Sequence, residues 1–201
     1  MTLSTLHKTN TQADLHELMA TRRTVFQFKP QPVDTDIVER ALTAAHWAPN
    51  HKHTWPWRFM LPGPHMQAQL VDYFSARLIE KLARRQITGA EAERILHNSR
   101  ERQRQMPLQI IVYATQTGTA HQQREDYASA CCAVQNLTLS LWADGVASGW
   151  KTFDSEAAYT LTGLDPDHHV LVGLIQAGYA LNETPRPGKR PPLSDHIIHT
   201  A

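Results

Sequence analysis

The chain has 201 residues, 41% of them hydrophobic, and a formal net charge of +1. That length suits one domain with a real core rather than two ordinary ones, and the near-zero charge leaves no global field to gather nucleic acid or acidic membrane. No apolar run reaches the length of a membrane span, and the opening MTLSTLHKTNTQADLHELMA has neither a charged-then-apolar signal pattern nor a small-residue cleavage site.

Residues 13–21 (ADLHELMAT) carry Leu15, Leu18 and Met19 on one side of a short predicted helix. It runs into Arg22-Arg23-Thr24 and the extended, proline-marked stretch VFQFKPQPV. DTDIVERALTAAHWA predicts a second helix, capped by Asp34 or Asp36, with Ile37, Ala41, Leu42 and Ala45 repeating along one face. Pro49 pushes Ala48 away from helical angles and ends it. In the following loop, APNHKHTWPWRF (48–59), prolines stiffen the backbone and Trp55 and Trp57 are expected to pack into the core. WRFMLP predicts a strand closed by Pro62, Gly63 and Pro64.

Residues 65–105 predict two charged helices broken near Thr88-Gly89. LQIIVYAT (108–115), apolar on both faces, predicts a central strand, and TGTAHQQRE a polar loop. DYASACCAVQNLTLSLWAD (126–144) is apolar nearly all round, so burial on every side is expected, with Gly145 closing the helix in the left-handed conformation. Its adjacent Cys131 and Cys132 exclude a disulfide framework and read as two buried thiols in a reducing, cytoplasmic setting. SGWKTF predicts a short strand, SEAAYTLTGL a short helix and HVLVGLIQAGY (169–179) a second apolar strand. The proline-rich, basic tail (180–201) cannot fold alone and must lie against something. The order of elements lacks a regular βαβ beat, which predicts an α+β fold forming a single domain over 1–201.

No GxGxxG, GxxxxGK[ST] or GxSxG motif is present, so a phosphorylated ligand would need side chains to supply its positive charge. His51/His53 and His196/His199 lack the firm four-ligand spacing of a structural zinc site. Between Arg77 and Arg104 stand eight arginines and lysines against four glutamates. Without interleaved aromatics, such a helix pair reads as a solvated face before it reads as a nucleic-acid surface. Arg22-Arg23-Thr24, with guanidinium forks beside a hydroxyl, has the chemistry a phosphate monoester needs, and Lys189-Arg190 adds a second basic pair.

Four stretches in order resemble the nitroreductase-like flavoprotein family, within its small, single-domain bacterial branch. They are RRTVFQF, ALTAAHWAPNHKHTWPWRF, AVQNLTLSLWADGVASGWKTF and VLVGLIQAGYALNETPRPGKRPPLSDHI. The resemblance spans residues 13–198 and is weakest over 65–105, which it implies is a variable helical cover. It implies a mixed β-sheet surrounded by helices in an intertwined homodimer, with the C-terminal tail on the partner and two FMN sites at the subunit interface. By this resemblance Arg22, Arg23 and Thr24 would hold the FMN phosphate and ribityl chain, and Lys189 and Arg190 would close on the phosphate. Trp150, Lys151 and Thr152 would lie along the isoalloxazine, and Asn50 and His51 would come from the partner's loop. NAD(P)H would reduce the flavin, and a small electron-poor acceptor, such as a nitroaromatic or a quinone, would reoxidise it in a ping-pong cycle without a catalytic side chain. Two departures from the family pattern stand out: Phe26 where a second basic residue is common, and Trp55 where a glutamine is. A flavin-binding protein without turnover and a basic dimeric nucleic-acid binder are the alternatives.

Overall fold

The computed structural model describes residues 11–182 and 188–200, with side chains from Leu15 onward. Residues 183–187 of the expected tail, and the first ten residues, lie outside them. The helices and strands follow the predicted order: α1 (Thr11–Thr21), α2 (Thr35–His46), β1 (Trp57–Met60), α3 (Pro64–Arg84), α4 (Gly89–Arg104), β2 (Leu108–Thr115), α5 (Ala120–Ala143), β3 (Ala147–Lys151), α6 (Glu156–Thr162) and β4 (His169–Gly178). Single 3-10 turns occupy His51–His53 and Leu193–His196.

The four strands form one sheet in the order β1-β2-β4-β3, and every neighbouring pair is antiparallel. Among the described residues the parallel component expected of a mixed sheet is a single bridge, Thr24 to Ser148. β2 is an interior strand, as its two apolar faces require, and its side chains alternate between two cores. On one face Ile110, Val112 and Ala114 meet the small residues of α2 and the apolar stripe Ala130, Ala133, Val134, Leu137 and Leu141 of α5. On the other, Ile111 and Leu174 meet Leu70 and Tyr73 of α3, together with Phe153 and Ala158. The helix-wrapped α+β architecture is thus built by the alternation of one central strand.

Local chemistry sets the helix ends. The Asp34 carboxylate accepts the Asp36 N–H at 3.0 Å at the start of α2. Ser155 caps α6, and Gly163 closes it at φ +68°. α5 begins six residues before the predicted 126, so the expected polar loop is two-thirds helix. Thr119 accepts the Gln122 N–H there, a Thr-x-x-Gln start that polar composition masked.

Two burial expectations need correction. α5 keeps an exposed stripe through His121, Arg124, Tyr127, Cys132 and Gln135, and Cys131 is only half-buried, because the sheet and α2 cover the opposite side. Trp57 is buried and its indole N–H reaches His46 Nδ1 at 3.3 Å, but Trp55 is half-exposed and leans on His53 instead. Among the described residues no helix is long and apolar enough to cross a membrane.

Leu137 is fully buried between α5 and the sheet. Leu137→Ala should therefore cost about 2–5 kcal/mol, read as a lowered urea midpoint with an unchanged slope.

Candidate functional site

The C-terminus of α1 is tied down on two sides. Trp142 of α5 donates its indole N–H to Thr21 Oγ1 at 3.2 Å. Arg23 Nη1 donates to the carbonyls of Ala20 at 2.6 Å and Arg22 at 2.7 Å, a cation placed on the unsatisfied end of a helix. Thr24 then bridges to Ser148, the Val25 N–H donates to the Ser148 carbonyl at 3.0 Å, and the Lys29 N–H to the Tyr179 carbonyl at 2.8 Å. The segment 22–29 thus runs across the ends of β3 and β4. Gly149 permits it, since a Cβ there would overlap the Phe26 ring and stand 2.7 Å from the Val25 carbonyl oxygen.

A cavity of about 600 Å³ opens along this segment, lined by Arg22, Arg23, Thr24, Phe26 and, from the tail, Gly188 and Arg190. Gly188 lies flat on the Arg23 guanidinium, where a Cβ would come within 2.9 Å of Cζ. Arg22 is pushed below its ordinary pKa, first by burial and then by the Arg23 and Arg190 charges. The structure therefore brings together four of the five residues read as a phosphate site. Lys189 does not line the cavity, and its carbonyl accepts from Arg190 Nη1 at 3.1 Å.

β3 sends the ring-side residues to opposite faces. Trp150 lies over β4, donating to the Val172 carbonyl at 3.1 Å, and lines a second cavity of about 390 Å³ with Thr152, Tyr127 and Asp154. Lys151 points the other way. Its Nζ stands 4.3 Å from the centre of the Phe26 ring and 5.3 Å from that of Phe74. Desolvation, and then Arg77, Arg102 and Lys81, depress the Lys151 pKa. Phe26 and the α3–α4 cations are the residues the sequence reading missed here. The alternation of Thr24, Phe26 and Phe28 along an extended segment was the available signal.

Asn50 and His51 line neither cavity. Asn50 holds its own loop, accepting the Trp55 N–H at 2.8 Å and donating to Thr54 Oγ1 at 3.1 Å. Thr54 donates to Asp126, a buried carboxylate that also accepts from Gln122 at 3.0 Å. His51 Nδ1 lies 2.7 Å from Glu125, whose pKa falls through that contact. Lys52, His53 and Trp55 all adopt positive φ (59°, 54° and 40°), so the loop is strained and these bonds to α5 restrain it.

A model described as the Nitroreductase family matches residues 19–179. YfhC of Bacillus subtilis (strain 168), whose name provisionally assigns it NAD(P)H nitroreductase activity, is 29% identical over 188 residues, covering 91% of this chain and 92% of its own. A nitroreductase-like family protein from Bacillus cereus superposes with a TM-score of 0.75 at 29% identity, over 92% of this chain and 95% of that one. An iodotyrosine deiodinase solved with FMN and 3-iodo-L-tyrosine shares the fold, with a TM-score of 0.70 at 20% identity over 93% and 98% of the two chains. The family resemblance carried by the ordered motifs is borne out.

Burial among cations makes Lys151 a source of instability in the unliganded chain. Between its depressed pKa and the ordinary lysine value the unfolded chain holds the extra proton, so stability rises with pH across that window. Lys151→Met should stabilise the apoprotein by about 1 kcal/mol in urea unfolding at neutral pH. A loss of stability would mean that stacking on Phe26 outweighs the burial of charge.

Proposed function

The chain belongs to the nitroreductase family, and we propose that it is an FMN-dependent oxidoreductase that uses NAD(P)H to reduce electron-poor small molecules such as nitroaromatics or quinones, in a ping-pong cycle. The observation that carries this reading is the convergence of Arg22, Arg23 and Arg190, with the Thr24 hydroxyl, on one cavity. Three guanidiniums lining one cavity, with the charges of Arg23 and Arg190 helping to lower the Arg22 pKa, fit a dianionic phosphate, and Gly188 lets the tail approach Arg23 closely. The FMN held by the iodotyrosine deiodinase and the reductant in the name of YfhC support the choice of cofactor and donor.

Arg22, Arg23, Thr24 and Arg190 would bind the phosphate end, with Lys189 beside them. Trp150 and Thr152 would border the ring, and Lys151 would place a positive charge where negative charge develops on reduction. FMN itself would supply the two-electron store between donor and acceptor. The chain's share is to bind, orient and exclude water; no side-chain acid or nucleophile is assigned a catalytic role. Helices α3 and α4 would cover the substrate side.

A homodimer accounts for the apolar groups this chain leaves uncovered. Leu15 and Met19 of α1, Tyr127 of α5, and Leu193, Ile197 and Ile198 of the tail are all exposed. In such a dimer Asn50 and His51 of the partner subunit would face the flavin, and the tail beyond Arg190 would lie across the partner. The setting that fits two free cysteines is the reducing cytoplasm.

Freshly purified protein should be yellow and should bleach on anaerobic addition of NAD(P)H; binding without bleaching would leave a flavin carrier rather than an enzyme. Arg22→Gln and Arg190→Gln should each weaken FMN about tenfold or more, while the affinity for riboflavin, which lacks the phosphate, stays level. Equal losses for both ligands in fluorescence titration would assign the arginines to the fold instead. Light scattering should give twice the 22.7 kDa chain mass.

A further inference from the structure

Lys151 is surrounded by cations from two helices, Arg77, Lys81 and Arg102, and no carboxylate of the described residues pairs with the group. Arg77 and Lys81 stand one turn apart on α3, and Arg102 is near the end of α4. Among the described residues none of these four pairs with a carboxylate within 4.0 Å. Two surface arginines elsewhere do find carboxylates: Arg40 meets Asp144 at 3.2 Å and Arg104 meets Glu101 at 2.5 Å.

Arg77 and Lys151 are held by their own contacts, whereas Lys81 and Arg102 are exposed on their helices. Arg77 Nη1 donates to Tyr73 Oη at 2.9 Å and to the Thr152 carbonyl at 3.3 Å, and its guanidinium lies over the Tyr73 ring. Arg102 is flanked by two anchors of α4. Arg100 Nε donates to Ser75 Oγ at 3.2 Å, and Gln103 Oε1 accepts from Gln176 of β4 at 2.8 Å. Lys151 is stacked between Phe26 and Phe74. Phe26 also lines the arginine cavity, and Thr152 lines the cavity beside Trp150, so the cations adjoin both parts of the candidate flavin site.

Fixed like charges without counter-charges oppose folding, and their burial in part at Lys151 adds to that cost. An arrangement of this kind is relieved when an anion arrives, and aromatic walls with forked donors suit a phosphate or a carboxylate. The phosphate of FMN already has its own three arginines. We propose that Arg77, Lys81, Arg102 and Lys151 form a docking site for a phosphate or carboxylate group of a co-substrate that exchanges electrons at the flavin. The anion could belong to the reductant, as the 2′-phosphate of NADPH, or to an acceptor bearing a carboxylate. The role of the co-substrate rests on the flavin reading; the anion site itself does not.

The test compares the FMN-loaded protein with its K81Q/R102Q variant at low salt. One arm measures kcat/KM for 4-nitrobenzoate against its neutral isostere 4-nitrobenzamide, and the other for NADPH against NADH. The variant should lose about tenfold in one of the two ratios. The first ratio identifies an acceptor carboxylate and the second the reductant's phosphate. Both ratios staying at wild-type values would overturn the proposal while leaving the flavin enzyme standing. A third arm needs no flavin: inorganic pyrophosphate should raise the melting temperature of the apoprotein more in the wild type than in the variant. If the protein takes up no FMN, that arm decides alone. A smaller shift in the variant keeps the anion site after the flavin reading has fallen, and equal shifts remove both.

Discussion

The contact between the segment 24–28 and β3 sets where every other group of the site can stand. With glycine at 149, the Phe26 ring and the Val25 backbone come down directly on the strand, closed by the bond from Val25 N–H to the Ser148 carbonyl. From that one close approach Arg22 and Arg23 are carried to the sheet's end, and Phe26 becomes both a wall of the arginine cavity and the platform under Lys151. Phe28 continues the path to a bridge with Ala180, and the Leu181 N–H reaches the Gln27 carbonyl at 3.0 Å. The tail therefore leaves the fold beside the arginines it is to join, which is how Arg190 meets residues more than 160 positions earlier.

Most of the scaffold was legible because it rests on local signals. β2 could be read as an inner strand from LQIIVYAT alone, and the break at Thr88-Gly89 separates α3 from α4 as composition suggested. α5 was read six residues short because TGTAHQQRE is polar throughout. The cap at Thr119 depends on one hydroxyl, which hydrophobic periodicity does not register. Cys132 and Trp55 were placed inside on residue type, yet exposure is decided by which side of a helix or loop the sheet covers. The arginine cavity was legible in part through the family motifs, whereas the approach of Arg77 and Arg102 to Lys151 joins three elements and has no sequence signature.

The two cation groups also differ in what holds them. Arg23 is partly satisfied by the end of α1, so part of its charge serves the fold before any ligand arrives. Lys151 has aromatic faces and other cations for neighbours, and its stem is covered without its charge being met. The first arrangement is preorganised and tolerable alone; the second is poised and costly alone. A stability penalty concentrated at one lysine beside a cavity is the usual physical mark of a group retained for its ligand rather than for the core.

The loop at 50–55 extends that logic to the proposed dimer. Positive φ at Lys52, His53 and Trp55 opposes an otherwise compact connection, and the chain spends Asn50, Thr54 and the buried Asp126 on restraining it. A connection from α2 to β1 needs no such strain, since the helix already ends at His46 and the strand opens at Trp57. Neither cavity of the same chain gains a wall from it. What the strain achieves is to fix His51 against Glu125 on the exposed side of α5, next to the uncovered stripe through Tyr127 and Cys132. A polar loop locked beside this exposed, mixed helix face is coherent if a second subunit covers it. On that reading the strain within one chain is offset by completing the site of another.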